Sequence, residues 1–171
     1  MAKQTETIQD AIGQLWKQLA ETRVVMLSVP ESGQHPQPMS HFADQDGKAI
    51  WFITSADTDL AEAVGSGAQG QLTLATPQQD YHASVRGQMT FVQDEAKLDE
   101  LWSPFAAAWF KDGREDESIR LLKFMPQEAA VWASEANAVL VGLRLIRARL
   151  SDDKSPPDVG VHHVVHFDDT V

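Results

Sequence analysis

The stretch from His82 to Val92 constrains the fold most strongly, because apolar and polar residues alternate along all of it. Such alternation is typical of a β-strand with one face buried and the other in solvent. Gly87 falls in the middle, where glycine often marks a bulge or the kind of bend that barrels use at corners. The sequence therefore predicts a long, half-buried strand in a sheet that curls. The apolar face carries Ala83, Val85, Gly87, Met89 and Phe91.

Shorter patterns supply the remaining elements. Strands are predicted at 23–29, 39–44, 50–53, 71–76, 119–124 and 129–134, the last two separated by Pro126. Helices are predicted at 5–20, after Asp94, and again after Ser103-Pro104, which reads as a cap and a first helical position. Residues 137–150 fit either a helix or a strand, and their length favours a helix. We therefore predict a mainly β protein with flanking helices (α+β) and a six- to seven-stranded antiparallel barrel.

Length and composition predict one domain over residues 1–150 and a C-terminal tail over 151–171. The segment VGVHHVVHF in that tail is predicted to add an edge strand or to pack on a partner. Its three histidines have no predicted partner, so no metal site is expected.

Charge and residue usage exclude several classes of function. The net charge of −11 argues against nucleic acid as a partner, because phosphate backbones need a basic surface. The chain has no cysteine, which excludes disulfides, thiolate catalysis and zinc–thiolate sites. No apolar run reaches the length of a membrane span and no signal-peptide pattern opens the sequence, so we expect no membrane association and a cytoplasmic location.

The stretch AIWFITSADTDLAEAV, residues 49–64, predicts a buried strand that ends at Thr54-Ser55 and is followed by a helix capped by Asp57 or Thr58. Such a junction gathers hydroxyls and backbone N–H groups at one place, which suits an anion or a phosphate. The alternative is an ordinary strand–turn–helix connection, since no glycine-rich phosphate motif accompanies it.

Several short motifs, taken in order, resemble the pyridoxamine 5′-phosphate oxidase-like superfamily. They are RVVMLSV, PMSHF, AIWFITSADTDLAEAV and YHASVRGQMTFV. The later segments LDELWSPFAAAWF and LLKFMPQEAAVWAS resemble its general stress protein branch. The resemblance runs from about Ile8 to about Leu150 and implies a split β-barrel homodimer with FMN in a cleft between subunits.

The resemblance also implies where a flavin would lie. The phosphate end is expected near residues 35–40 and 54–60, and the isoalloxazine ring near residues 51–54 and aromatic residues of the other chain. The candidate positions on the same chain are His35, Gln37, Met39, Ser40, Trp51, Phe52, Ile53, Thr54, Ser55 and Leu60. The candidate aromatic residues of the other chain are Trp109, Phe110 and Trp132.

This chain departs from the family at the expected phosphate site. The family typically has two arginines where this chain has His35 and Gln37, and a lysine where it has Leu60. Charge-assisted hydrogen bonds are worth about 1.5–3 kcal/mol each, so losing two or three would weaken FMN binding by several kcal/mol. Either FMN binds weakly through neutral groups, or Arg86 or another arginine substitutes, or the cleft holds a different ligand or none.

Two functions follow from these alternatives. The first is an FMN-binding general stress protein with weak flavin-dependent oxidoreductase activity, with FAD as an alternative cofactor. The second is a non-enzymatic dimeric barrel that has lost FMN and acts as a binding module. No catalytic nucleophile stands out, but in flavoproteins the cofactor carries the redox chemistry.

Overall fold

The computed structural model describes residues 8–134 and 160–167, and its strands form one antiparallel sheet. The strands are β1 (Val24–Ser28), β2 (Gln37–Ser40), β3 (Phe42–Asp44), β4 (Ala49–Ser55), β5 (Ala68–Ala75), β6 (Tyr81–Val92), β7 (Ile119–Ser134) and β8 (Gly160–His166). The helices are α1 (Ile8–Glu21), α2 (Asp59–Val64), α3 (Glu95–Leu101) and α4 (Pro104–Ala107), with short 3₁₀ turns at Pro30–Ser32 and Gly113–Glu115.

The sheet curls on itself. Its strand order is β2-β1-β5-β6-β7-β4-β3. Strand β8 is not part of this series and pairs with the C-terminal half of β7, from Glu128 to Ser134. Strands β2 and β4 lie far apart in this order, yet they contact each other in space. This closure confirms the predicted barrel-like, mainly β fold. The described residues hold eight strands, because residues 39–44 form two strands divided at His41 and the predicted tail strand pairs with β7.

The prediction of two strands at 119–124 and 129–134 was wrong, because β7 is continuous from Ile119 to Ser134. Pro126 pairs with Gly87, and the register shifts there so that Gln127 is the extra residue of a bulge. A bulge tolerates proline because regular ladder hydrogen bonds are already interrupted. The predicted irregularity at Gly87 is confirmed. A Cβ at this position would lie 2.2 Å from the backbone oxygen of Met125, so only glycine fits without rearrangement.

Two apolar clusters hold the fold together. The main core fills the inside of the curled sheet and is covered by α1 through Leu15, Trp16 and Leu19. Trp16 meets Phe167, just after β8, edge to face with ring centroids 6.2 Å apart. A second cluster lies on the outer face, where Leu98 of α3 packs with Trp51 of β4 and Leu121 of β7.

The predicted helix at 137–150 and the proposed boundary at residue 150 lie outside the described residues. Among the residues that are described, no helix is long and apolar enough to cross a bilayer, and no group of His, Asp or Glu is arranged to hold a metal ion.

Candidate functional site

A cleft of about 360 Å³ opens where β2 approaches β4, with the α4 segment as its third wall. This volume lies within the range of small-molecule sites, about 300–1,000 Å³. The lining residues come from three separate parts of the chain. They are Pro38, Met39, Ser40, Phe42, Ile53, Thr54, Ser55, Thr58, Ser103, Phe105, Ala106, Trp109 and Phe110.

The α4 wall is held in place by local hydrogen bonds and by its link to α3. Ser103 caps α4 by accepting a hydrogen bond from the Ala106 N–H at 3.2 Å, and Pro104 takes the first helical position as predicted. Arg114, just beyond α4, pairs with Asp99 at 2.8 Å and with Glu95, both on α3. The segment therefore returns to α3 and keeps its aromatic residues over the cleft.

The apolar part of the cleft presents aromatic and aliphatic side chains to a ligand. Phe105 and Trp109 meet edge to face with centroids 6.4 Å apart, and they remain 63% and 76% exposed. Exposed aromatic side chains of this size are unusual on a free surface and mark a place where a ligand or a second protein packs. Met39 of β2 and Ile53 of β4 line the same cleft. A planar aromatic ring is the ligand that such walls suit.

The polar part of the cleft is the junction between β4 and α2. Thr58 caps α2, since its Oγ1 accepts a hydrogen bond from the Ala61 N–H at 3.2 Å and donates to the Ser55 carbonyl at 2.9 Å. Thr54 Oγ1 lies 3.3 Å from Thr58 Oγ1. The predicted junction between strand and helix is therefore present, with Thr58 as the helix cap. The Thr54 and Thr58 hydroxyls at this junction are joined in one hydrogen-bond network.

The structure brings about half of the predicted site residues together. The members that line the cleft are Met39, Ser40, Ile53, Thr54, Ser55, Trp109 and Phe110. They derive from three distant segments, and the curl of the sheet brings these segments together. Trp109 and Phe110 were expected to approach the ligand from the other chain, whereas here they line the cleft of their own chain.

The other predicted residues lie elsewhere. Phe52 and Leu60 are buried in the main core. His35 is exposed in the loop before β2, and Gln37 pairs with Leu27 of β1. Arg86 lies on β6, 3.8 Å from Glu128, with its side chain largely exposed.

The two remaining predicted tryptophans also lie outside the lining. Trp51 has the ammonium groups of Lys97 and Lys123 over its ring, 5.6 and 5.5 Å from the centroid, and donates a hydrogen bond to Asp44 at 3.3 Å. Trp132 stacks on His162 of β8 with centroids 4.9 Å apart.

Six of the lining residues were not among the predicted site positions: Pro38, Phe42, Thr58, Ser103, Phe105 and Ala106. Pro38 and Thr58 fall inside the two segments expected near a phosphate. Ser103 carried a helix-cap signal, but no pattern in the sequence connects that helix to the end of β4 about fifty residues earlier.

The lining fits one part of FMN and not the other. The aromatic wall suits the isoalloxazine ring, and the hydroxyls suit a polyol chain. The phosphate finds no counter-charge, since within the described part of the chain no lysine, arginine or histidine lines the cleft.

A curled antiparallel sheet with a ligand-sized cleft at its split edge defines the split-barrel class of proteins. The chain matches the sequence profile of the family described as pyridoxamine 5′-phosphate oxidase like over residues 10–157, and it belongs to that family.

Solved structures agree with this assignment. A protein described as a general stress protein 26 from Jannaschia sp. CCS1 is 31% identical, with 94% of this chain and 100% of that chain covered and a TM-score of 0.77. The general stress FMN/FAD binding protein from Xanthomonas citri is 31% identical, with 73% and 89% covered and a TM-score of 0.67. A Clostridium acetobutylicum protein related to general stress protein 26 shares the fold at 12% identity, with 94% and 96% covered and a TM-score of 0.65.

A comparison with curated proteins gives no match. The predicted superfamily and its general stress branch are thus confirmed by the family profile and by solved structures.

Proposed function

We propose that this chain is a homodimeric flavin-binding general stress protein whose cleft receives the isoalloxazine ring. The observation that carries the proposal is a cleft lined by the Phe105–Trp109 ring pair, by Met39 and Ile53, and by several hydroxyl side chains. A related protein, 31% identical to this one, is described as FMN/FAD binding. FMN and FAD are the flavins that this relationship suggests.

The protein residues would bind and orient the flavin, and the flavin would supply the redox chemistry when bound. Met39 and Ile53 would contact one side of the ring, and Trp109 would shield the other from water. We propose a weak flavin-dependent oxidoreductase activity on this basis.

The outer face of the sheet supports the proposed homodimer. One row crosses five strands in register: Met26, Thr73, Ser84, Ala130 and Val164. Met26 and Val164 are 39% and 47% exposed, and Val24 and Trp132 beside them are similarly exposed. Exposed apolar side chains gathered on one sheet face are typical of a protein–protein interface.

This face also adjoins the cleft. Pro38 pairs with Met26 at one end of the row and lines the cleft itself. A second subunit on the face would therefore lie beside the ligand, where it could contribute aromatic residues to the ring.

The dimer is tested by placing a charge in the row. Met26→Glu is expected to convert the dimer to a monomer, because an unpaired carboxylate would be buried at the interface. Met125→Glu is the matched control, since Met125 is similarly exposed but pairs with Gln88, outside the row. Light scattering after size exclusion gives the mass of each variant. A monomeric wild type, or a dimer that survives Met26→Glu, would contradict the proposed interface.

Flavin binding is tested by titrating flavin-stripped protein and following flavin fluorescence. Trp109→Ala is expected to weaken binding by about tenfold or more, the effect of losing an aromatic contact of about 1.5 kcal/mol or more. Met125→Ala removes a large exposed apolar side chain outside the cleft and should leave affinity unchanged. Equal losses in both variants would mean that the ring does not contact Trp109.

The second candidate function is a non-enzymatic dimeric barrel that binds a partner instead of a flavin. It is favoured by one observation, the lack of a cationic side chain in the described cleft lining. Protein that purifies colourless and shows no flavin binding at about 300 μM would support this function over the first. A dissociation constant of that size corresponds to a binding free energy of roughly −5 kcal/mol.

A further inference from the structure

The two threonine hydroxyls at the polar end of the cleft already donate their hydrogens within the protein. A hydroxyl carries one hydrogen, and that of Thr58 is donated to the Ser55 carbonyl at 2.9 Å. In the 3.3 Å contact between the two threonines, Thr54 is therefore the donor and Thr58 the acceptor. Neither threonine retains a hydrogen for an incoming ligand.

The backbone N–H groups of the same turn are also engaged. The Ala56 N–H donates to the Ser118 carbonyl at 2.7 Å, and the Thr58 N–H to the Ser55 carbonyl at 3.4 Å. The Asp57 N–H donates to Ser55 Oγ at 3.3 Å. A phosphate dianion offers only acceptor oxygens, so it needs hydrogen-bond donors from the protein. Most donors of this turn already make hydrogen bonds within the protein.

The charge around this end is negative. Asp57 and Asp59 flank Thr58 in the sequence, and both are exposed. The chain as a whole carries a net charge of −11. A phosphate placed against Thr54 and Thr58 would lie close to the residues that carry these two carboxylates, and the described lining residues would offer it no cation.

A neutral hydroxyl suits the same surroundings. It can donate to Thr54 Oγ1, whose lone pairs remain open, and it can accept from the remaining serines. Ser55 and Ser103 use their Oγ atoms as acceptors from the Asp57 and Ala106 N–H groups, which leaves their own hydrogens available.

We infer that the cleft recognises a flavin whose side chain ends in a neutral hydroxyl and that it disfavours the phosphorylated forms. This inference rests on the proposed flavin function and specifies the chemical class of ligand for that site. Riboflavin and FMN share the ring and the ribityl chain and differ in the terminal phosphate, so they are the probes that separate the two chemistries.

The experiment measures the dissociation constants of riboflavin and of FMN for the flavin-stripped full chain. We expect riboflavin to bind at least as tightly as FMN at low salt. Raising ionic strength from about 0.02 M to about 0.5 M shortens the Debye length and should strengthen FMN binding while leaving riboflavin unchanged.

Two single substitutions test whether the carboxylates cause the discrimination. Asp59→Asn removes one charge beside Thr58 and should tighten FMN by about two- to fivefold without changing riboflavin affinity. Asp46→Asn is the matched control, because Asp46 is an exposed carboxylate in the turn at the opposite end of β4. It should change neither affinity.

The possible results are distinct. FMN binding at least tenfold tighter than riboflavin in wild type would overturn the inference and leave the flavin function standing. An FMN-to-riboflavin ratio that Asp59→Asn does not alter would also overturn it. Binding of neither flavin would overturn the proposed function itself and this inference with it.

Discussion

The contact between β6 and β7 at Gly87 predicts a graded series of stabilities among glycine-to-alanine variants. A Cβ at Gly87 would lie 2.2 Å from the Met125 oxygen, about 1.2 Å short of the 3.4 Å at which ordinary contact begins. It would also lie 2.7 Å from a ring carbon of Phe124, which is fully buried. The backbone atom cannot rotate away, so the two longest strands must separate locally.

We estimate the loss from Gly87→Ala at about 3 kcal/mol, the upper end of the range for overpacking a well-packed interior. Gly70 gives an intermediate case. Its added Cβ would lie 2.7 Å from Cγ and Sδ of Met89, a flexible side chain that can move, and we expect a loss of about 1 kcal/mol. Gly13 is exposed within α1 with nothing within 4 Å, so alanine there should add about 0.5–1 kcal/mol.

Urea unfolding, followed by circular dichroism, gives the free energy of unfolding of each variant. The account predicts that stability falls in the order Gly13→Ala, wild type, Gly70→Ala, Gly87→Ala. A Gly87→Ala variant within about 0.5 kcal/mol of wild type would refute the close approach of the two strands and the register placed at Pro126.

Three further predictions concern residues close to the cleft. Leu60→Lys should lower the free energy of unfolding by about 3–5 kcal/mol, because Leu60 is 2% exposed and an ammonium there would be buried without a partner. The control Leu60→Met should lower it by less than about 1.5 kcal/mol. A stable Leu60→Lys variant that binds FMN more tightly would place this side chain in the cleft instead. Thr58→Ala should cost about 1 kcal/mol in urea unfolding through loss of the α2 cap, and an unchanged midpoint would contradict the capping role. Burial lowers the pKa of His41, whose Nε2 bonds the Leu19 carbonyl, so the unfolded chain binds this proton more readily and stability should fall as pH drops below about 6.5. His41→Gln should flatten that dependence between about pH 7.5 and 5.5, and an unaltered slope in unfolding midpoints would exclude His41 as its source.

Strands and helices were predictable where a single segment contains the whole signal, such as an alternation of apolar and polar residues or a helix cap. The alternation across Gly87 identified β6 and its bulge, and the capping signals at Thr58 and Ser103 identified α2 and α4. These features depend on a few neighbouring residues, so physical rules about local geometry reach them.

The continuity of β7 was not predictable in the same way. Pro126 is a strand breaker by its own chemistry, and only the pairing with Gly87, nearly forty residues earlier, turns it into part of a bulge. Local rules treat the two residues separately.

The cleft was predictable only in part for a related reason. Thr54 and Ser55 stood out because a strand gives way to a helix there, but Phe105 reaches the same cleft only through the curl of the sheet and the link from Arg114 to α3. The family resemblance predicted the two segments, residues 35–40 and 51–60, from which much of the cleft lining comes. It also placed Leu60 and Phe52 near a ligand, whereas the structure buries both side chains in the main core.

A crystal structure of the protein grown with riboflavin would test the central claim most directly. The account predicts the isoalloxazine ring between Trp109 and the pair Met39 and Ile53, with the ribityl chain directed towards Thr54 and Thr58. A flavin bound at another surface, or a cleft closed by protein side chains with no flavin at saturating concentration, would contradict it.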